Sequence, residues 1–295
     1  MRLFIFGAGY SGRAIASRLA NRADWCGGTT RSEENFSALK AAGLRPFAFD
    51  GERLRDEVKQ ALRGVTHLVK SIAPGESGDA LMRITGGDPQ TIMPNLKWAA
   101  YLSTVGVYGN HDGNWVDEET ACRPSSKRSV RRVAAESQWL EFSRGSDIPV
   151  AVMRLSGIYG PGRNTMMRVK AGNARRLVKP GQVFNRIHVD DIAGAADHLS
   201  AMEADGIWNV TDDLPAPPQD VVAYACTLMG VEPPPEIPFE TADLTPMARS
   251  FYGENKRVSN SKLKDSGYRF AWPDYKSAFD AMWRDGNWHG HSKSG

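Results

Sequence analysis

A glycine cluster beginning at Gly7 limits this chain more than any other feature. Gly7-Ala8-Gly9-Tyr10-Ser11-Gly12 follows the apolar run Leu3 to Phe6 and leads into Tyr10 to Asn21, where Ile15, Ala16 and Leu19 recur at helical spacing. A short apolar run fits a strand buried on both faces. Strand, glycine turn and helix, in that order, are the context in which GxGxxG carries meaning. Gly7 permits the tight turn, Gly9 lets backbone approach a pyrophosphate, and Gly12 lets the helix pack close to the strand. Tyr10 and Ser11 open the helix, whose N-terminal N–H groups suit phosphate. The expectation is a dinucleotide site; the plain alternative is an incidental glycine-rich turn.

The end of the second strand usually selects the dinucleotide. An acid there holds the 2′-hydroxyl of NAD, whereas an arginine accommodates the 2′-phosphate of NADP. The chain has Thr29-Thr30-Arg31-Ser32 and no acid before Glu33. Thr30 and Arg31 together suit a phosphate. NADP(H) is therefore favoured and NAD(H) is allowed, with a solvated Arg31 as the plain alternative. Asp50 ends the third strand candidate and is placed either on the adenine amino group or in an Asp50-Gly51 turn. Ser71, Ile72 and Ala73 follow the fourth strand candidate and should pass beside the cofactor.

The first half alternates strand-like and helix-like segments, which predicts parallel strands joined by helical crossovers. Trp25 to Thr30, Leu44 to Phe49, Thr66 to Lys70, Trp98 to Ser103 and Pro149 to Leu155 read as strands. Glu33 to Ala42, Lys127 to Arg144 and Asp190 to Met202 read as helices. Val130, Val133, Ala134, Trp139 and Leu140 are the expected apolar side of the long helix 127–144. The expected fold is α/β: a Rossmann-type doubly wound parallel sheet with a smaller C-terminal substrate lobe. Residues 1–157 plus 186–206 would form the dinucleotide domain and 158–185 plus 207–285 the lobe. Residues 286–295 are expected to be a mobile tail; His289 and His291 in it give only a weak metal pattern.

Of 295 residues, 41% are hydrophobic and 24% charged, as in an ordinary globular protein. A net charge of +3 makes no case for nucleic acid or membrane partners. Cys26, Cys122 and Cys226 form no metal or disulfide pattern. No apolar run approaches the ~20 residues that span a bilayer, and the apolar start ends at Gly7, too soon for a secretory signal. A cytoplasmic protein with no metal and a small-molecule partner is expected; a homodimer is compatible.

Several segments together resemble the extended short-chain dehydrogenase/reductase family, the NAD-dependent epimerase/dehydratase group. They are the glycine loop, Leu102 to Gly109 (LSTVGVYG), Trp115 to Glu118 (WVDE), Arg154 to Gly162 (RLSGIYGPG) and Arg186 to Asp191 (RIHVDD). Residues 255–260, 267–268 and 272–275 look like an atypical branch of it. The resemblance implies a Ser or Thr after the fifth strand that orients a substrate hydroxyl or carbonyl, and Thr104 matches that position; a threonine satisfying local backbone is the alternative. It also implies a YxxxK pair on the long helix. Anchored on Val133 to Glu136, the lysine position is Arg132 and the tyrosine position is Arg128. Arg132 retains the ability to bond the nicotinamide ribose. Arg128 cannot act as general acid/base, because arginine does not deprotonate in proteins. A shift of one residue would bring Ser129 there instead.

Tyr108, Tyr159 and His188 are the remaining proton carriers, histidine being best by pKa; each has a packing role as its alternative. Lys127, Arg128, Arg131 and Arg132 are either a solvated basic helix face or, since Arg128 and Arg132 are four apart, one face able to hold an anion. With Arg186, they suggest an anionic substrate such as a nucleotide-sugar or a carboxylate, and Thr104, Tyr159 and Arg186 are its candidate contacts. Two functions follow. One is an NADP-dependent oxidoreductase or epimerase. The other is a non-catalytic NADP(H)-binding sensor or scaffold; the missing YxxxK favours it, whereas the preserved segments Thr104 to Gly109 and Arg186 to Asp191 favour the enzyme, the preferred reading.

Overall fold

A computed structural model describes residues 1–290. The chain divides into two compact units: residues 1–107, 124–155 and 192–208 form the first, and, of the described residues, 108–123, 156–191 and those from 209 onward form the second. This division differs from the boundaries expected from sequence. Segments 108–123 and 186–191 belong to the second unit, because they pair with its strands rather than with the large sheet.

The first unit is built on strands β1 (Arg2–Phe6), β2 (Trp25–Thr30), β3 (Arg45–Ala48), β4 (His67–Lys70) and β5 (Trp98–Thr104), with helices α1 (Tyr10–Leu19), α2 (Phe36–Ala41), α3 (Asp56–Leu62), α4 (Ala80–Ile84) and α5 (Lys127–Gly145). Val150–Leu155 and Gly206–Val210 complete a seven-stranded sheet, in the order Gly206–Val210, Val150–Leu155, β5, β4, β1, β2, β3. The pairs β1–β2, β1–β4, β2–β3, β4–β5 and β5 with Val150–Leu155 are all parallel. The chain winds outward through β2 and β3, then crosses back to β4 on the other side of β1. That reversal beside β1 is the topological switch point at which doubly wound sheets bind ligands.

Strands β1 and β4 are almost wholly buried, as continuous apolar runs require. One core packs Phe4, Phe6, Phe47, Leu68, Tyr101 and Trp139. Helix α1 stops at Leu19 and tightens into a 3₁₀ turn, and the segment expected as one helix from Glu33 is a 3₁₀ turn followed by α2.

Helix α5 corrects the expected apolar side. Val130 is 51% exposed and Ala134 is exposed too, whereas Ser129, Ala135, Glu136, Trp139, Phe142 and Ser143 are buried. The inner face is part polar because Glu136 has partners there. The Arg154 Nη2 donates to Glu136 Oε2 at 2.7 Å, and Ser103 Oγ donates to Glu136 Oε1. A carboxylate matched in this way can sit inside the unit.

The second unit has its own core of Tyr159, Met166, Val221, Tyr275, Phe279 and Met282. Short strands Gly157–Tyr159 and Arg186–His188 pair in parallel. Residues 286–290 are held rather than loose: Gly162 N–H and Asn164 Nδ2 both donate to the Trp288 carbonyl, at 2.9 and 2.6 Å. Residues 291–295, with His291 and the rest of the expected tail, lie outside the described residues. Among the described residues no helix is long and apolar enough to cross a membrane, and no three His, Cys, Asp or Glu residues group to hold a metal.

Candidate functional site

The glycine loop forms the floor of a cavity of about 540 Å³ in the first unit. Gly7 has φ +86°, a conformation that L side chains rarely adopt, and a Cβ there would stand 2.7 Å from Ile72 Cγ1. A Cβ on Gly12 would stand 3.1 Å from the Gly7 carbonyl oxygen, so Gly12 lets α1 approach the turn. Gly9 has open space where its Cβ would be, which leaves backbone accessible to a ligand. No side chain caps the N-terminus of α1 and no acid sits in its first turn, the arrangement a phosphate group favours. The turn is fixed from β2: Gly7 N–H donates to Thr29 Oγ1 and Ala8 N–H to the Thr29 carbonyl, both at 2.8 Å.

Gly7, Gly9, Thr30, Arg31, Asp50, Ser71, Ile72 and Ala73 line this one cavity. Tyr10, Ser11 and Gly12 do not; they form the first turn of α1 behind it. Asp50 lies on the wall, but its Oδ1 accepts from Glu52 N–H at 2.8 Å and Arg53 N–H at 3.3 Å. Those backbone bonds hold its carboxyl below the usual range, so Asp50 makes the turn that competed with the adenine role. The cavity also includes Arg13, Asn35 and Arg83, which the motif pattern did not single out. Arg13 follows the third glycine directly, and that adjacency was the available signal. Arg83 Nη2 donates to the Gly51 carbonyl at 2.8 Å and to Glu52 Oε2 at 3.1 Å.

A second group gathers at the end of β5, also in the first unit. Thr104 is half-buried, and its Oγ1 accepts from Gly106 N–H at 3.2 Å. A Cβ on Gly106 would lie 3.5 Å from Thr104 Oγ1 and 3.7 Å from Ser129 Oγ, so the two hydroxyls flank the same glycine. Arg132 Nη1 donates to the Leu102 carbonyl at 2.7 Å, and its guanidinium lies 5.8 Å from the centre of the Tyr101 ring. Ser129 and Arg132, three apart, therefore share the face turned to β5. Arg128 is exposed. The expected convergence of Arg128 and Arg132 is replaced by Ser129 with Arg132.

The second unit holds the other candidates. Tyr108 is fully buried and its hydroxyl donates to Asn209 Oδ1 at 2.8 Å, which ties it into the packing rather than opening it to a substrate. Tyr159 meets the His188 ring edge-on at 5.2 Å. The His188 Nδ1 accepts from Asp190 N–H at 3.2 Å, which assigns the proton to Nε2. Burial pushes the His188 pKa down to about 4, so the ring is neutral near pH 7. Burial also drives the Tyr159 hydroxyl up, well beyond the usual phenol range.

Arg186 Nη1 donates to the Phe184 and Ala216 carbonyls at 2.9 and 3.1 Å, and its guanidinium lies 5.7 Å from the centre of the Tyr275 ring. Sequence reasoning passed over Asp212, which is 1% exposed. Its carboxyl is raised well above the usual range, by burial first, despite the nearby Arg186. Tyr159 Oη, His188 Nε2 and Asp212 Oδ2 are buried with no hydrogen-bond partner among the described residues. Asp191, from the RIHVDD segment, has a positioning role instead: it accepts from Ala271 and Trp272 N–H at 2.8 and 3.0 Å and from the Tyr268 hydroxyl at 2.8 Å.

Comparison with known proteins gives a family and similar folds. The model of the NAD-dependent epimerase/dehydratase family matches residues 3–211. The solved structure of a functionally unknown conserved protein from Silicibacter pomeroyi is 43% identical, with a TM-score of 0.88 over 96% of this chain and 98% of that one. A 3-diazoavenalumate denitrifying reductase from a Streptomyces species is 35% identical over 113 residues, so this chain spans 36% of that protein's length and the match covers 36% of its own. A dTDP-glucose 4,6-dehydratase from Bacillus anthracis, solved in complex with NAD, shares the fold at 19% identity, with a TM-score of 0.75 over 97% of each chain.

Proposed function

Because the chain belongs to the NAD-dependent epimerase/dehydratase family, we propose that it is an NADP(H)-dependent oxidoreductase or epimerase acting on a hydroxyl or carbonyl carbon of a small anionic substrate. The observation that carries the cofactor choice is the cavity wall: Arg13 and Arg31 line it with the glycine loop, and β2 ends in threonines rather than an acid. Two guanidinium groups suit a 2′-phosphate. When bound, the dinucleotide supplies or accepts the hydride.

The chain's own residues supply the rest. Gly7 and Gly9 admit the pyrophosphate to backbone. The Thr104 and Ser129 hydroxyls orient the reacting oxygen, and Arg132, fixed on the Leu102 carbonyl, adds positive charge at the end of β5. Within the second unit, Arg186, Tyr159 and Asp212 form a separate group of candidate polar contacts. Likeness to a reductase over part of the chain supports hydride transfer. The three cysteines form no disulfide, which fits a reducing cytoplasm.

A second reading has its own observation. Arg128 stands exposed where the family resemblance implies a phenol, and Tyr108 is locked on Asn209. A protein that binds NADP(H) without turnover, as a sensor or scaffold, fits both facts. The test is NADPH oxidation and NADP reduction over a panel of sugar nucleotides, carboxylated ketones and alcohols. Turnover that Thr104→Val lowers by about tenfold or more supports the enzyme; tight binding with no turnover on the panel supports the sensor.

A further inference from the structure

Two charged residues deep in the first unit have no part in the chemistry above. Lys70 is the last residue of β4, and Asp79 caps α4. Both side chains are 0% exposed, and Lys70 Nζ lies 2.7 Å from Asp79 Oδ2. Asp79 Oδ1 accepts from the Leu81 and Met82 N–H groups at 2.9 and 3.2 Å. Lys70 Nζ also donates to the Ile72 carbonyl at 2.7 Å. The ion pair thus joins the residue before loop 71–78 to the residue after it and closes the loop at its base. The tip is closed separately, by backbone hydrogen bonds between Gly75 and Gly78 at 3.0 and 3.2 Å.

This loop is a wall of the glycine-loop cavity: Ser71, Ile72, Ala73, Ser77 and Gly78 all line it. Ile72 is the residue that leaves no room for a Cβ on Gly7. The Lys70 ammonium therefore fixes the carbonyl of the residue that presses on the first glycine. Stability alone does not explain such a pair, because well-packed apolar residues of similar volume often serve a buried site equally well or better. An apolar pair would leave the Ile72 carbonyl without its donor and the loop base without a directional tie.

We propose that Lys70 and Asp79 are positioning residues for the cofactor, closing loop 71–78 at its base and setting the wall against which a dinucleotide seats. The proposal rests on the reading of the cavity as a dinucleotide site. It differs from that reading in which residues control affinity, since neither side chain is exposed to a ligand.

The test compares the full-length wild type with Lys70→Met/Asp79→Asn, in which asparagine keeps an acceptor for the α4 N–H groups. Two quantities are read: amide hydrogen exchange across 71–78, and NADPH and NADH affinity by fluorescence titration. The expected result is exchange at 71–78 faster by about tenfold or more, with β5 amides unchanged, and affinity weaker by about tenfold or more. Arg131→Ala, which removes only the 2.9 Å contact to Glu76 at the loop tip, should leave affinity within about threefold. A double variant with wild-type exchange and wild-type affinity overturns the proposal while the dinucleotide reading stands. A wild type that binds neither dinucleotide overturns that reading, and the cofactor role of the pair with it. If the double variant fails to fold, Asp79→Asn alone takes its place: faster exchange with weaker affinity supports the pair's role, and wild-type values of both overturn it.

Discussion

The glycine-loop cavity of the first unit and the Tyr159 cluster of the second treat polar groups in opposite ways. The cavity gathers Arg13, Arg31 and Arg83 around an open space. The cluster buries a phenol, an imidazole and a carboxyl and leaves one atom of each without a partner among the described residues. The first arrangement suits a ligand that brings negative charge to donors already in place. The second makes protonation state decisive, because each of its groups is disfavoured in the charged form. The two regions are therefore electrostatically distinct, each open to its own perturbation.

The largest expected effect bears on the packing of α5 in the first unit, which contains the cavity. Glu136→Ala removes the carboxylate paired with the buried Arg154 guanidinium and should cost about 3–5 kcal/mol in denaturant unfolding. A change within about 1 kcal/mol would show that the α5 inner face is not held by this pair. Next comes the turn itself. Gly7→Ala forces a Cβ against Ile72 at positive φ, and strain of about 1–3 kcal/mol should weaken dinucleotide binding by roughly 10–100-fold. Calorimetric titration that finds undiminished affinity would remove Gly7 from the cofactor site.

The last effect probes the cluster through pH and is the smallest near neutral pH. His188 is held neutral down to about pH 4, against an ordinary value of 6.5. Between these values the unfolded chain binds the extra proton, so stability is present above pH 6.5 and falls as pH drops toward 4. The slope should reach at most about 1.4 kcal/mol per pH unit. His188→Asn should flatten the stability–pH curve in that window by up to this amount. An unchanged curve would show that the imidazole is not kept neutral by burial.

How far the sequence revealed these features depends on how local their causes are. The glycine loop was legible because strand, turn and helix are adjacent, and the wall of its cavity followed from the ends of β2, β3 and β4. The sheet followed from the same alternation. The inner face of α5 was not legible by hydrophobicity, because Ser129, Glu136 and Ser143 are buried there while Val130 is outside. The burial of Glu136 depends on Ser103 and Arg154, partners distant in sequence. Lys70 and Asp79 looked like ordinary charges around a loop, and only the fold shows them paired and buried. Asp212 gave no pattern at all. The hold on Trp288 came from Gly162 and Asn164, far up the chain.

Everything proposed for the cofactor rests on the Gly7 loop and its arginines forming a site for a 2′-phosphorylated dinucleotide. Fluorescence titration of wild type and Arg31→Ala with NADPH and NADH addresses this without an intermediate step. Wild type should prefer NADPH, and Arg31→Ala should weaken NADPH by about tenfold while sparing NADH. A preference for NADH that Arg31→Ala leaves unchanged would contradict the assignment.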